Sequence, residues 1–270
     1  MRRFSFLVLA LASGVGFAQT PTVLDGGVVN GASFAKGAIS PGSLVSIFGT
    51  GLVSKLASAD TIPLSTMLSG VTVTFADLPP APLLAVIPGV PGQTDDQINV
   101  QLPWEIGTGS GAVNVIVNTA NGASAPVTVD FAPSMPGIFT APEAGKLYAV
   151  AVNFPDNALA WPQGLVSGSH PAKAGDTLVV YATGLGAVDH TPVDGGIPST
   201  GQLANTVVNP TVLVGGVPAK VLFSGLSPQF VGVNQLNIQV PDGVASGSAV
   251  PLQIQVNGFT STNQAVIAVQ

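Results

Sequence analysis

A strand-like segment that occurs twice constrains the fold of this chain more than any other feature of its sequence. Residues 97–103 read QINVQLP, and residues 235–241 read QLNIQVP. In both copies apolar and polar residues alternate until a proline removes the next backbone donor, which is typical of a half-buried antiparallel strand. Because seven residues can recur by chance, the neighbouring segments decide what the repeat means.

Two other segments repeat in the same order. PGSLVSIFGTGL at 41–52 matches AGDTLVVYATGL at 174–185, and VTVTFADLPPA at 71–81 matches TVLVGGVPA at 211–219. In all three cases the second copy lies about 130 to 140 residues downstream of the first. A preserved order at a nearly constant spacing predicts two homologous domains produced by an internal duplication.

Each half divides into short strand-like runs separated by turn signals, of which the Asn-Gly pairs at 121–122 and 257–258 are the strongest. The expected strands are 43–48, 71–75, 83–87, 97–102, 112–118 and 124–131, then 176–182, 211–214, 219–223, 235–240, 250–256 and 263–269. Such a strand density is typical of immunoglobulin-like sandwiches. We therefore predict an all-β fold of two tandem immunoglobulin-like β-sandwich domains, at 19–140 and 141–270. A single closed barrel is the alternative, but it does not explain the duplication.

The N-terminus has the layout of a secretory signal. Arg2 and Arg3 precede an apolar run from Phe4 to Val15, and small residues follow it. This arrangement predicts a signal peptide at 1–18 with cleavage after Ala18. The alternative, a membrane anchor, needs roughly 20 apolar residues, and the run is shorter. We expect a secreted or cell-envelope protein, extracellular or periplasmic, with no stable membrane span once the signal is removed.

Composition narrows the classes of function. Only 7% of the residues are charged and the formal net charge is −6, so the chain lacks the basic surface that nucleic-acid binding requires. There is no cysteine, which excludes disulfides, thiol nucleophiles and thiolate metal sites. A content of 46% hydrophobic residues is the reverse of a disordered composition. The chain must be stabilised by buried cores instead.

The candidate catalytic and metal-binding residues are few. His170 and His190 are the only histidines, and either could join a serine and an aspartate in a hydrolytic triad, with Asp189 or Asp194 orienting the ring. No G-x-S-x-G or H-E-x-x-H motif accompanies them, so exposed turn histidines are the favoured interpretation. Asp95 and Asp96 form an acidic pair that could hold Ca²⁺, but the spacing of a calcium loop is missing. We predict no cofactor, no metal and no catalytic residue.

Three residues are candidates for ligand binding: Trp104, Glu105 and Trp161. Trp104 follows the first repeated strand beside Glu105, and Trp161 lies between the two halves. An exposed tryptophan stacks on the apolar face of a sugar ring while a neighbouring carboxylate accepts hydrogen bonds from its hydroxyls. The alternative is that each tryptophan packs against a neighbouring loop or domain, which is the commoner role beside a strand end.

Four segments carry a resemblance to a known family. They are VVNGASFAKGAISPGSLVSIFGTGL at 28–52, QINVQLPWE at 97–105, PGIFT at 136–140 and GGVPAKVLFSGLSPQFVGVNQLNIQVPDGVASG at 215–247. They resemble the Solibacter-type C-terminal domain family of exported bacterial proteins. The resemblance implies a cell-surface or secreted module, sandwich domains similar to the IPT/TIG immunoglobulin-like class, and no catalytic residues to transfer to this chain.

From these observations we predict a non-enzymatic secreted or cell-surface module for adhesion, surface structure or recognition. Its expected partner is an unidentified extracellular ligand, either a glycan or another envelope component. A carbohydrate-binding accessory protein is the alternative. A secreted hydrolase is the third interpretation, and it needs catalytic groups that the sequence barely supplies.

Overall fold

The computed structural model describes residues 20–92, 95–262 and 264–270. The predicted signal peptide at 1–18 lies outside the described residues. The described chain contains strands and one 3₁₀ turn at Trp104–Ile106. In this part of the chain, no helix has the length and apolar composition for crossing a membrane.

The first half contains nine strands that form two sheets. They are β1 (Thr22–Asn30), β2 (Leu44–Thr50), β3 (Ala57–Ser58), β4 (Thr72–Phe75), β5 (Leu83–Ile87), β6 (Asp96–Gln101), β7 (Gly111–Thr119), β8 (Gly122–Ala123) and β9 (Val127–Phe131). One sheet has the order β1-β2-β6-β5-β3, and in the other β7 pairs with β4, β8 and β9. Apolar side chains of both sheets, including the fully buried Ile47, Phe75 and Ile98, form one core between them.

The second half contains eleven strands in one continuous sheet. They are β10 (Gly137–Ile138), β11 (Thr140–Glu143), β12 (Lys146–Ala149), β13 (Ala151–Phe154), β14 (Thr177–Thr183), β15 (Thr211–Val214), β16 (Val217–Leu226), β17 (Asn234–Gln239), β18 (Gly247–Val256), β19 (Phe259–Thr260) and β20 (Ala265–Val269). The sheet is continuous because β16 is long enough to pair with β15 at its start and with β17 beyond it. Its inner face encloses a second core that includes Leu178, Leu236 and Ile254.

The two halves share the pairing of their central strands and its register. Asn30 on β1 pairs with Val45 on β2, and in the second half Asn153 on β13 pairs with Leu178 on β14, the counterpart of Val45. The pairing of β2 with β6 is repeated by β14 with β17, residue for residue, from the Leu44–Gln101 pair and its counterpart Thr177–Gln239 onward. The all-β fold of two duplicated sandwiches predicted from the repeat is confirmed.

Side-chain hydrogen bonds are repeated as well. Gln97 donates to Asn99 at 2.8 Å, and Gln235 donates to Asn237 at 2.9 Å. The hydroxyl of Ser124 accepts a backbone N–H bond from β7, and Ser261 does the same from β18. Since polar residues of the repeated strands serve the same local bonds in both halves, the duplication extends from the sequence pattern to individual contacts.

The halves differ in one long insertion. Ile39 follows Asn30 by nine positions, whereas Ala172 follows Asn153, the counterpart of Asn30, by nineteen. The additional residues contain Trp161 and form a loop over the second core. The second half also has the hairpin β11–β12, whose second strand runs parallel to β20. The strand list predicted from the sequence omitted this hairpin, because its pattern resembled that of a connecting segment.

Candidate functional site at the junction of the two halves

Gln101 is the residue that links the two halves most directly. It ends the first copy of the repeated strand and is 1% exposed. Its Oε1 accepts a bond from the backbone N–H of Gly195 in the second half at 2.6 Å, and its Nε2 donates to the carbonyl of Gly42 at 3.3 Å. The carbonyl of Gly195 in turn accepts the N–H of Leu64 at 2.8 Å. Its counterpart Gln239 is not buried, and among the described residues it donates to the carbonyl of Gly175 within the same half.

A second link is the buried hydroxyl of Thr183 at the end of β14. It accepts the backbone N–H of Leu44 at 2.9 Å and donates to the carbonyl of Gly232 at 2.6 Å. Asn30 Nδ2 donates to the carbonyl of Met135, in the segment that connects β9 with β10, at 2.9 Å. These buried bonds are directional, so they fix the position of one half relative to the other.

Trp104 lies within this junction and is half buried. Its ring covers Gly42, where a Cβ atom would overlap with the indole. The ring also packs against the small cluster of Val188, Ala204 and Leu226 from the second half. Trp104 therefore packs across the junction, which is the commoner of the two roles considered from the sequence. Its indole N–H is buried and has no hydrogen-bond partner among the described residues.

Beside Trp104, two carboxyl groups from different halves meet. Glu105 follows Trp104 in the 3₁₀ turn, and Asp194 precedes the glycine that bonds to Gln101. The Asp194 carboxylate accepts the backbone N–H of Trp104 at 3.1 Å. Burial, assisted by the hydrogen bond and negative charge of Glu105 and opposed by the Trp104 N–H, raises the pKa of Asp194 to about 6. Asp194 therefore takes up a proton as the pH falls toward 6.

Asp194→Asn is expected to stabilise the protein at neutral pH. The pKa of Asp194 in the folded protein, about 6, exceeds its ordinary value of 3.8, so its contribution to stability is complete below pH 3.8 and is lost as the pH rises through 6. Because Asp194 is only half buried, solvent screening limits the effect to about 1 kcal/mol. Asparagine keeps the acceptor for the Trp104 N–H and removes the charge.

The measurement is urea unfolding of both proteins between pH 4 and pH 8. The stability difference in favour of the variant should be near zero at pH 4 and reach its full value above pH 6. Glu105→Gln should give a difference of the same sign, because it also removes a charge from the pair. A stability difference that does not change with pH would contradict the raised pKa of Asp194.

A groove opens beside these bonds, between the two halves. Its volume is about 490 Å³, which is within the usual range for ligand sites. The first half contributes Leu44, Leu64 and the exposed Ile62, and the second contributes Phe139 and the exposed Phe230. The ring of Tyr181 contacts the ring of Phe230 in an edge-to-face arrangement, with the ring centroids 6.1 Å apart. The polar lining consists of Asp60, Thr61 and Gln229.

Trp161 is separate from this junction. It is 4% exposed, and its indole N–H donates to the carbonyl of Ala149 at 2.7 Å. Its ring contacts Tyr148 at a centroid distance of 5.5 Å. Stacking on a sugar needs an exposed ring face, and Trp161 has none in this structure. The expectation that Trp161 takes part in ligand binding therefore has no support from its surroundings, whereas Glu105 is exposed at the junction.

The histidines form pairs with aspartates. His170 Nε2 is 2.9 Å from Asp156, and His190 Nδ1 is 3.0 Å from Asp189. The carbonyl of Pro171 and then the carboxylate of Asp156 raise the pKa of His170. In the described part of the chain, neither ring has a serine or threonine hydroxyl among its hydrogen-bond partners. The arrangement therefore lacks the nucleophile that a triad requires.

One member of the acidic pair Asp95 and Asp96 has a structural role. Asp96 is 7% exposed and accepts the backbone N–H groups of Leu52 at 2.7 Å, Val53 at 3.1 Å and Gly89 at 2.8 Å. These bonds hold the loop that contains Leu52 and Val53 and the loop that contains Gly89 at the start of β6. Among the described residues there is no group of three or more acidic or histidine side chains placed to hold a metal ion.

The comparisons with known proteins give little. No family model matches this chain, and no curated protein matches it significantly. Among solved structures, the D00-D0 domain of intimin aligns over 93% of this chain and 100% of its own length, with 12% identity and a TM-score of 0.22. The C-terminal domain of the Streptococcus agalactiae AgI/II polypeptide BspA covers the same shares, with 9% identity and a TM-score of 0.19. At these values the likenesses carry no argument about function.

Proposed function

We propose that this protein is a non-enzymatic, exported recognition module that binds a partner in the groove between its two sandwiches. The observation that carries the proposal is that both halves contribute apolar walls to one groove of about 490 Å³. Ile62 is 52% exposed and Phe230 is 51% exposed at its mouth. Large apolar side chains at such exposure within one concavity are typical of interaction sites.

The occupant that fits is a peptide segment with one large apolar side chain next to a basic residue. The apolar side chain would fill the space between Ile62, Phe139 and Phe230, and the basic residue would face Asp60 at the rim. The formal net charge of −6 favours approach of a cationic segment. The export signal predicted at 1–18 and the resemblance to an exported family favour a cell-surface or secreted location for this partner.

The hydrolase interpretation has less support, since no hydroxyl nucleophile accompanies either histidine pair in the described residues. Sugar stacking on Trp104 also has less support, because Gly42 and the Val188 cluster cover the ring. The resemblance to the Solibacter-type family remains a prediction.

An array of short synthetic peptides tests the proposal. Each peptide carries one Phe, Leu or Ala flanked by Lys or by Glu, and is incubated with the mature chain. We expect saturable binding by the Phe/Lys and Leu/Lys peptides, and a loss of at least about tenfold in affinity for Phe230→Asp. Leu203→Asp is the matched control, since Leu203 is 59% exposed and does not line the groove.

Two results would overturn the proposal. One is that no peptide binds the wild-type chain at millimolar concentration. The other is that Phe230→Asp and Leu203→Asp bind the Phe/Lys peptides equally well, because the binding would then lie outside the groove.

A further inference from the structure

The two copies of one asparagine have different hydrogen bonds. Asn30 Oδ1 accepts the backbone N–H groups of Ala32 at 2.9 Å and Ser33 at 3.0 Å. Asn153 occupies the same register position, but the residue two positions later is Pro155, which has no N–H. Asn153 is 4% exposed, and its Oδ1 has no hydrogen-bond partner among the described residues.

An unpaired buried acceptor is uncommon and costs free energy, so its presence in only one of the two copies marks this part of the second half as specialised. The oxygen itself is too deeply buried for a ligand to reach it. The Nδ2 of Asn153 is occupied, since it donates to the carbonyls of Ala158 at 3.3 Å and His170 at 3.2 Å. The amide is therefore held with its oxygen as the free group. In the first half, both the oxygen and the nitrogen of the Asn30 amide have hydrogen-bond partners. The fold therefore does not require an unpaired amide oxygen at this position.

Asn153 lines a cavity of about 420 Å³ at the end of the second sandwich, which we call the loop pocket. Its other walls include Phe154, Asp156, Gln163 and His170. Phe154 is 62% exposed, so its ring is available for contact with a ligand. Gln163 comes from the insertion that the first half lacks, and the neighbouring Trp161 anchors that insertion in the core.

The charged groups of the loop pocket limit the chemistry of its ligand. His170 and Lys173 are basic, and Asp156 and Asp176 are acidic. The basic pair would repel a metal cation, and the acidic pair would repel an anion. The mixed charges therefore favour a neutral ligand. His170 holds Asp156 at 2.9 Å, and Ala158 donates to the other carboxylate oxygen at 3.1 Å. The carboxylate is thus positioned, and it retains lone pairs that can accept further bonds.

We propose that the loop pocket binds a neutral polyhydroxylated ligand of one or two sugar rings. Phe154 stacks on the apolar face of a ring, and Asp156 accepts hydrogen bonds from its hydroxyls. Gln163 supplies a donor and an acceptor at the rim. None of these residues lines the groove between the halves, so this inference is independent of the proposed function.

The test is a titration of the full mature chain with a panel of mono- and disaccharides, followed by ligand-observed NMR and calorimetry. The panel contains glucose, galactose, mannose, N-acetylglucosamine, cellobiose and maltose. We expect at least one to bind saturably, and Phe154→Ala to weaken that binding roughly tenfold. Phe34→Ala is the matched control, since Phe34 is an exposed aromatic residue of the corresponding loop in the first half.

Asp156→Ala provides a second variant at an exposed position, and it should weaken binding by at least as much because it removes the positioned acceptor. The proposal is overturned if no saccharide of the panel binds at 10 mM, a concentration of roughly ten times a weak millimolar Kd. It is also overturned if the affinity is the same in Phe154→Ala and in Phe34→Ala.

Discussion

Gly42→Ala is expected to destabilise the protein by about 3 kcal/mol or more. Gly42 has a φ of +69°, where an L side chain is strained, and a Cβ atom there would overlap with the ring of Trp104. The ring is also held on the side of the second half, because Val188, Ala204 and Leu226 pack against it. The substitution must therefore displace Trp104 and disturb the junction between the halves.

The duplication supplies a matched control for this prediction. Gly175 occupies the corresponding position in the second half, has a φ of +87°, and has no atom within 4 Å of an added Cβ. Gly175→Ala therefore carries the backbone strain without the overlap, and should cost about 1 kcal/mol. Both variants are compared with the wild type by urea unfolding. Equal losses for the two variants would mean that Trp104 does not pack on Gly42 as described.

Gln101→Ala is expected to cost about 2 to 3 kcal/mol. The substitution removes both bonds of a buried side chain and leaves the N–H of Gly195 without its 2.6 Å partner. The loop that carries Gly195 also bonds to Leu64, so its displacement would affect both sides of the junction. Hydrogen exchange at the Gly195 amide should accelerate more than exchange in the two cores, because the opening is local.

Gln239→Ala is the control for Gln101→Ala. Gln239 ends the second copy of the repeated strand and makes the corresponding bond to Gly175, yet it has no partner in the other half. Its loss should stay within about 0.5 kcal/mol, as for most surface positions. Equal losses of stability for Gln239→Ala and Gln101→Ala would contradict this account. The bond from Gln101 to the other half would then add no stability beyond that of the bonds within one sandwich.

The strand repeat was sufficient to predict the all-β fold and its duplication. Alternation in QINVQLP and QLNIQVP places Ile98 and Leu236 in the two cores, as the structure has them. The reason is physical: a period of two residues specifies which face of a strand is buried, and burial decides the register. The hairpin β11–β12 was missed, because the segment that contains it has no clear alternation.

The junction and the loop pocket could not be predicted in the same way. Glu105 and Asp194 are 89 positions apart, and neither belongs to a periodic pattern. Trp104 and Trp161 were equivalent candidates from the sequence, yet one packs across the junction and the other is buried in the second half. The unpaired oxygen of Asn153 follows from Pro155, which has no N–H. A comparison of the residues after VVN at 28–30 with those after AVN at 151–153 would have revealed this difference from the sequence.

The central claim is that the groove between the sandwiches is the recognition surface. The most direct measurement is a backbone amide NMR titration of the mature chain with the Phe/Lys peptides. We predict saturable shifts that concentrate on Ile62, Phe230 and Val231 in the groove, with the amides of Phe154 and Asp156 unchanged. Shifts confined to the loop pocket or to the sheet edges, or none at saturating peptide, would contradict the claim.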